Sequence, residues 1–133
     1  LQATLSGDAE TVAELIEQAH QANASILKYN DENALSCVIS LAYYSAQKNY
    51  TLHREMPAGK GFADIVFEPN RNCDLPALIV ELKWGHSAEE AVEQIKQKDY
   101  LDCLKNYSGE VLLVGVNYDK EKRHTCRIER AVI

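Results

Sequence analysis

Three charged side chains interrupt two runs that otherwise read as core. Asp64 lies within Gly61-Phe62-Ala63-Asp64-Ile65-Val66-Phe67, and Glu81 and Lys83 lie within Leu78-Ile79-Val80-Glu81-Leu82-Lys83-Trp84. Side chains at i and i+2 of a strand share a face, so Glu81 and Lys83 emerge together while Val80 and Leu82 face the other way. If Glu68 to Pro76 folds the two strands back on each other, Asp64 lies beside Glu81 and one patch holds two carboxylates and an ammonium. Neighbouring carboxylates in an apolar setting repel, and a cation relieves them. A divalent metal is the natural partner. The competing reading is a structural salt-bridge cluster, which is expensive to keep in apolar strands for stability alone.

The elements that must position these residues are legible from periodicity. Asp8 is an N-cap, and Val12, Leu15, Ile16 and Ala19 form one face of an amphipathic helix running to about His20. A second helix starts after Asn30 or Asp31 and runs to about Gln47, with Leu35, Val38, Ile39, Leu41, Ala42 and Ala46 as a broad apolar stripe. Thr51 to Met56 alternates as an edge strand, Pro57 to Gly61 is a turn, and the Asp64 strand, a polar loop and the Glu81/Lys83 strand follow. Ser87 caps a further helix, with Glu90 completing a capping box. Its stripe of Ala88, Ala91, Val92 and Ile95 does not continue cleanly into Leu101 and Leu104, which predicts a kink or break near Asp99. Glu110 to Val116 is a nearly continuous apolar run, the mark of a strand covered on both faces, and His124 to Val132 alternates as a final strand. Helix, helix, three strands, helix and two strands imply an α/β fold: a central mixed sheet with helices packed on both faces.

Asp64 in Gly61-Phe62-Ala63-Asp64-Ile65-Val66, Glu81-Leu82-Lys83 on the next strand, and a helix carrying Gln94 and later Tyr100 together resemble the PD-(D/E)XK nuclease superfamily, whose core is restriction-endonuclease-like. The resemblance covers about Asn30 to Val116. More narrowly, Ile79-Val80-Glu81-Leu82-Lys83 and the run from Ala91 to Tyr100 resemble the nuclease-like domain C-terminal to an AAA-type ATPase-like domain in many bacterial proteins. Leu5-Ser6-Gly7-Asp8-Ala9-Glu10 resembles the segment preceding that domain, and the start at Leu1 is expected of the C-terminal part of a longer protein. Ala63 stands where the superfamily's name has Pro, at a position that carries no chemistry.

The resemblance implies metal-dependent hydrolysis of phosphodiester bonds, expected on DNA. Asp64 and Glu81, hard oxygen donors, select Mg2+ or Mn2+ over softer metals, and the backbone carbonyl of Leu82 can add a ligand. Lys83 can orient the attacking water or stabilise charge in the transition state. Gln94 matches a glutamine expected to touch the phosphate or the nucleophile, and Tyr100 is a weaker match. Glu32 matches an acidic position used as an extra metal or water ligand. In the first turn of its helix it reads equally as an acid complementing the helix dipole.

Composition limits these expectations. The chain has 133 residues and a formal net charge of −6, which suits one domain and argues against a nonspecific polyanion binder. The acidic balance favours a rival reading, a nuclease fold kept as a weakly active or inactive binding or regulatory module of an ATPase-like protein. A metal-dependent phosphodiesterase acting on RNA or a small nucleotide is a third. No apolar run is long enough to span a bilayer and no signal peptide is visible. Cys37, Cys73, Cys103 and Cys126 lack metal or redox spacing, so reduced thiols in a cytoplasmic protein are expected. His20, His53 and His124 share no metal-like spacing, and His86 is expected to be exposed in a turn. Trp84 and the tyrosines read as core and rim, without the interleaved basic residues of a base-stacking surface.

Overall fold

A computed structural model describes residues 1–22, 39, 43, 48–58, 61–71, 73–97, 104, 107, 109–118 and 124–132. Among these the elements run α1 (Gln2–Leu5), α2 (Ala9–Ala22), β1 (Tyr50–Ala58), β2 (Gly61–Pro69), β3 (Ala77–Trp84), α3 (Ala88–Gln97), β4 (Glu110–Tyr118) and β5 (His124–Val132). The five strands form one sheet in the order β1-β2-β3-β4-β5. β3 and β4 are parallel and the other neighbours antiparallel, so the sheet is mixed. The parallel pair needs a crossover, and α3 lies within it. No helix among the described residues is long and apolar enough to cross a membrane.

Local chemistry explains the boundaries. Asp8 accepts the Thr11 N–H at 3.1 Å and the Thr11 hydroxyl at 2.7 Å, which caps α2 and holds the Asp8 carboxyl below its usual range. β1 outruns the expected Thr51–Met56 because Pro57 sits on an edge strand, where its missing N–H costs no central ladder bond. At α3 the capping box forms by half. Glu90 N–H donates to Ser87 Oγ at 3.1 Å, but the Glu90 carboxylate meets His86 Nδ1 at 3.1 Å and does not return to Ser87. The second expected helix falls outside the described residues except for Ile39 and Tyr43, both buried and joined by a Tyr43 N–H to Ile39 C=O bond of 3.0 Å. The expected kink near Asp99 also falls outside, as do Cys37 and Cys103.

Two apolar clusters divide the strand residues by parity. One holds Ile65, Phe67, Leu78, Val80, Leu82, Leu112, Val114, Val116 and Tyr118 with Val12 and Ile16 of α2. The other holds Val66, Ala77, Ile79, Val111 and Leu113 with Val92 and Ile95 of α3. This parity decides where the charged residues point. β4 is buried from Val111 to Tyr118, as expected for a strand covered on both faces, and β5 alternates along its length.

Candidate active site

Alternation along β2 and β3 places Asp64 on the face of Val66, and Glu81 and Lys83 on the face of Ala77 and Ile79. All three share the face that carries α3. They also share an end of the sheet, because Asp64 lies early in β2, Glu81 and Lys83 lie late in β3, and the two strands run antiparallel. Burial differs between the two acids. Glu81 is 1% exposed, whereas Asp64 and Lys83 are half-buried.

A side-chain contact joins the strands here. The β2–β3 register includes Ile65–Val80, Val66–Ile79 and Phe67–Leu78, and carried on it sets Asp64 opposite Glu81 and Ala63 opposite Leu82. Asp64 Oδ2 accepts the Leu82 N–H at 2.8 Å. In an antiparallel sheet a residue's N–H and C=O point to the same neighbouring strand, so the Leu82 carbonyl also points toward β2. Asp64 is thus tied to the main chain of β3 at the residue that follows Glu81.

β4 and α3 wall the site. Gly115 is the register partner of Glu81 and Asn117 that of Lys83. A Cβ on Gly115 would stand 2.3 Å from the Ala88 carbonyl oxygen, so the missing side chain is what lets α3 lie down next to Glu81. Asn117 is 3% exposed, and its Oδ1 accepts the His86 N–H at 3.0 Å. The Gly85 N–H donates to Tyr118 O at 2.9 Å, with Gly85 at φ 71°. These bonds pin the turn between Lys83 and α3. The sequence reads Asn117 as the start of a charged turn running to Lys122, but β4 extends through it to Tyr118; its role emerges only from the β3–β4 register.

Gln94 is placed by its neighbour on the helix. Lys96 Nζ reaches Glu129 Oε2 of β5 at 3.2 Å, which orients that flank of α3 toward β5. Gln94 precedes it by two residues, about 200° around the helix, on the flank away from β5 and toward β3. It is half-buried there. Glu32 and Tyr100 lie outside the described residues, as does the side chain of Trp84. His86 is exposed as expected, while His124 is buried against the Tyr118 ring, with centroids 4.8 Å apart and Nδ1 at 3.6 Å from Glu17.

The donor set matches a small hard cation. Among the described residues no three His, Cys, Asp or Glu side chains gather as a metal-binding group. Two carboxylates and a carbonyl suit Mg2+, which keeps several waters and takes only one or two protein carboxylates. They are a poor set for zinc, which wants four N/S/O ligands from the protein or three and a water.

Residues 30–128 match the family model of the PD-(D/E)XK nuclease superfamily. No curated protein matches the chain.

Proposed function

Since this chain belongs to the PD-(D/E)XK nuclease superfamily, we propose that it is a metal-dependent nuclease hydrolysing phosphodiester bonds of DNA, with Asp64, Glu81 and the Leu82 carbonyl as ligands of Mg2+ or Mn2+. The observation that carries the proposal is the convergence of Asp64 and Glu81 from adjacent strands onto one face and one end of the sheet, with Lys83 on the same face. The layering belonging to this reading is the restriction-endonuclease-like one, with helices on both faces of the sheet. When bound, the metal supplies a water of lowered pKa and offsets charge on the phosphate.

The chain's own residues do the rest. Asp64 and Glu81 hold the cation at the sheet end, and the apolar neighbours of Glu81 keep that carboxylate from wandering. Lys83, two residues on, orients the attacking water or stabilises the charge that builds on the phosphoryl oxygens. Gln94, on α3, would touch the phosphate or the water. Glu32 is assigned the extra acidic position by the family resemblance alone. In this reading the domain works beside an ATPase-like domain of the same chain.

Calorimetric titration of Mn2+ into the parent and into Asp64→Ala, followed by a gel assay on mixed DNA substrates with and without metal, tests the proposal. Asp64-dependent binding and metal-dependent nicking support it. The net charge of −6 favours a second reading, a nuclease fold retained as a regulatory module. Absence of metal binding in the parent would turn the assignment to that module.

A further inference from the structure

The Leu82 N–H to Asp64 Oδ2 bond does more than tie β2 to β3. A carboxylate on a strand rotates about two side-chain torsions, and each position it samples presents a different oxygen to a cation. One good hydrogen bond from a fixed backbone donor removes most of that freedom. At 2.8 Å the bond has the length of a charge-assisted one, and its donor belongs to the residue between Glu81 and Lys83. Leu82 is itself immobile, with its side chain 2% exposed in the cluster on the opposite face.

We propose that the Leu82 backbone amide is a positioning group for the metal centre: it holds Asp64 by Oδ2, so that the carboxylate coordinates through Oδ1 as a one-oxygen ligand. This rests on the metal site proposed above. It assigns Leu82 two roles from one peptide segment, with its N–H orienting one ligand while its C=O, pointing to the same side, serves as another. The hydrogen bond itself is made by the main chain, while the buried Leu82 side chain keeps that main chain in place. A donor behind a metal ligand of this kind is worth about 10–100-fold in metal affinity.

The experiment replaces the Leu82 amide by an ester, incorporating the α-hydroxy analogue of leucine at position 82 of the whole chain, and measures Mg2+ affinity by calorimetry. A parallel NMR titration follows the Leu82 amide proton of the parent. The expected result is a loss of about tenfold or more in Mg2+ affinity in the ester variant. In the parent, the Leu82 proton lies downfield, resists exchange and stays so at Mg2+ saturation.

Equal Mg2+ affinity in the ester variant overturns the inference and leaves the nuclease reading standing. So does a Leu82 proton that moves upfield and exchanges freely once Mg2+ is bound, an outcome readable even where the ester variant does not fold. A parent that binds no Mg2+ while the Leu82 proton stays downfield overturns the metal site itself, and with it the proposed role of the amide.

Discussion

Gly115→Ala is the most informative single substitution, because one methyl group probes how α3 is held over the site. Gly115 lies in the middle of β4 and its φ is not positive, so alanine meets no backbone penalty there and its better fit to a strand would favour it slightly. The cost is steric. The new Cβ would stand 2.3 Å from the Ala88 carbonyl oxygen, 2.9 Å from Val92 Cγ2 and 3.0 Å from Ala91 Cβ. The nearest of these atoms is backbone and cannot rotate away. A carbon and a carbonyl oxygen rest at about 3.3 Å, so the first turn of α3 must lift by roughly 1 Å. Overpacking of this kind costs about 1–3 kcal/mol, which for a chain of this size lowers Tm by roughly 4–12 °C. Because Gly115 is the register partner of Glu81, the lift also loosens the wall beside that carboxylate. Mn2+ affinity is expected to fall along with stability. Thermal unfolding followed by circular dichroism reads the first effect and calorimetry the second. A variant as stable as the parent would refute the claim that this glycine sets the helix-to-sheet distance.

Asp64→Ala and Glu81→Ala are each expected to lose metal affinity while the domain stays folded; Mn2+ titration checks this, and parental binding in both variants would mean the site is misplaced. Lys83→Ala is expected to keep the metal and lose turnover by about 10²–10³-fold, so cleavage at the parental rate would remove Lys83 from the mechanism. The buried Thr4 and Tyr43 hydroxyls are hydrogen-bonded to each other, so Tyr43→Phe strands the fully buried Thr4 hydroxyl and should cost about 1–3 kcal/mol in urea unfolding. Burial also raises the Tyr43 hydroxyl above its ordinary value of 10.0. A raised folded-state value means that its contribution is fully present below about pH 10 and is lost as pH climbs toward the folded-state value. Unfolding experiments from pH 8 to 12 should therefore show stability declining above pH 10, with a smaller decline in Tyr43→Phe.

How far the sequence anticipated this follows from what each signal encodes. Periodicity reports burial against a neighbour, so α2, β4 and β5 were legible: Val12 and Ile16, the run from Val111 to Val116, and the alternation from His124 are direct traces of which face is covered. α1 was not, because four residues, Gln2–Leu5, are too few to establish a period. For the site, Asp64, Glu81 and Lys83 were legible as charges out of place in apolar runs, and the i to i+2 rule already put two of them together. Asn117 was missed, since a polar residue followed by charged ones reads as the start of a turn; only pairing with Lys83 across β3–β4 gives it meaning. Gly115 did leave a trace, as a glycine inside a strand marks a close backbone approach, but which element approaches is a matter of tertiary packing. Glu90 shows a local rule outcompeted: the capping box predicts a return to the Ser87 backbone, and a histidine one turn back offered its carboxylate another partner.

The connection between fold and chemistry lies in a side chain that takes up a main-chain donor. Carried on from Ile65–Val80, the β2–β3 register sets Asp64 opposite Glu81 and Ala63 opposite Leu82, and the Leu82 N–H donates to Asp64 Oδ2. Buried backbone groups are rarely left without partners, and here a carboxylate serves as one. Asp64 suits this role: its side chain is short enough to reach across to the next strand and stay beside Glu81. Glutamate there would be a methylene longer and would carry its carboxylate past the amide. Asp64→Glu therefore keeps the charge while losing the Leu82 contact, and it is expected to bind Mg2+ more weakly than the parent. If Asp64→Glu bound Mg2+ as tightly as the parent, charge alone would be sufficient and the Leu82 contact would have no part in the site.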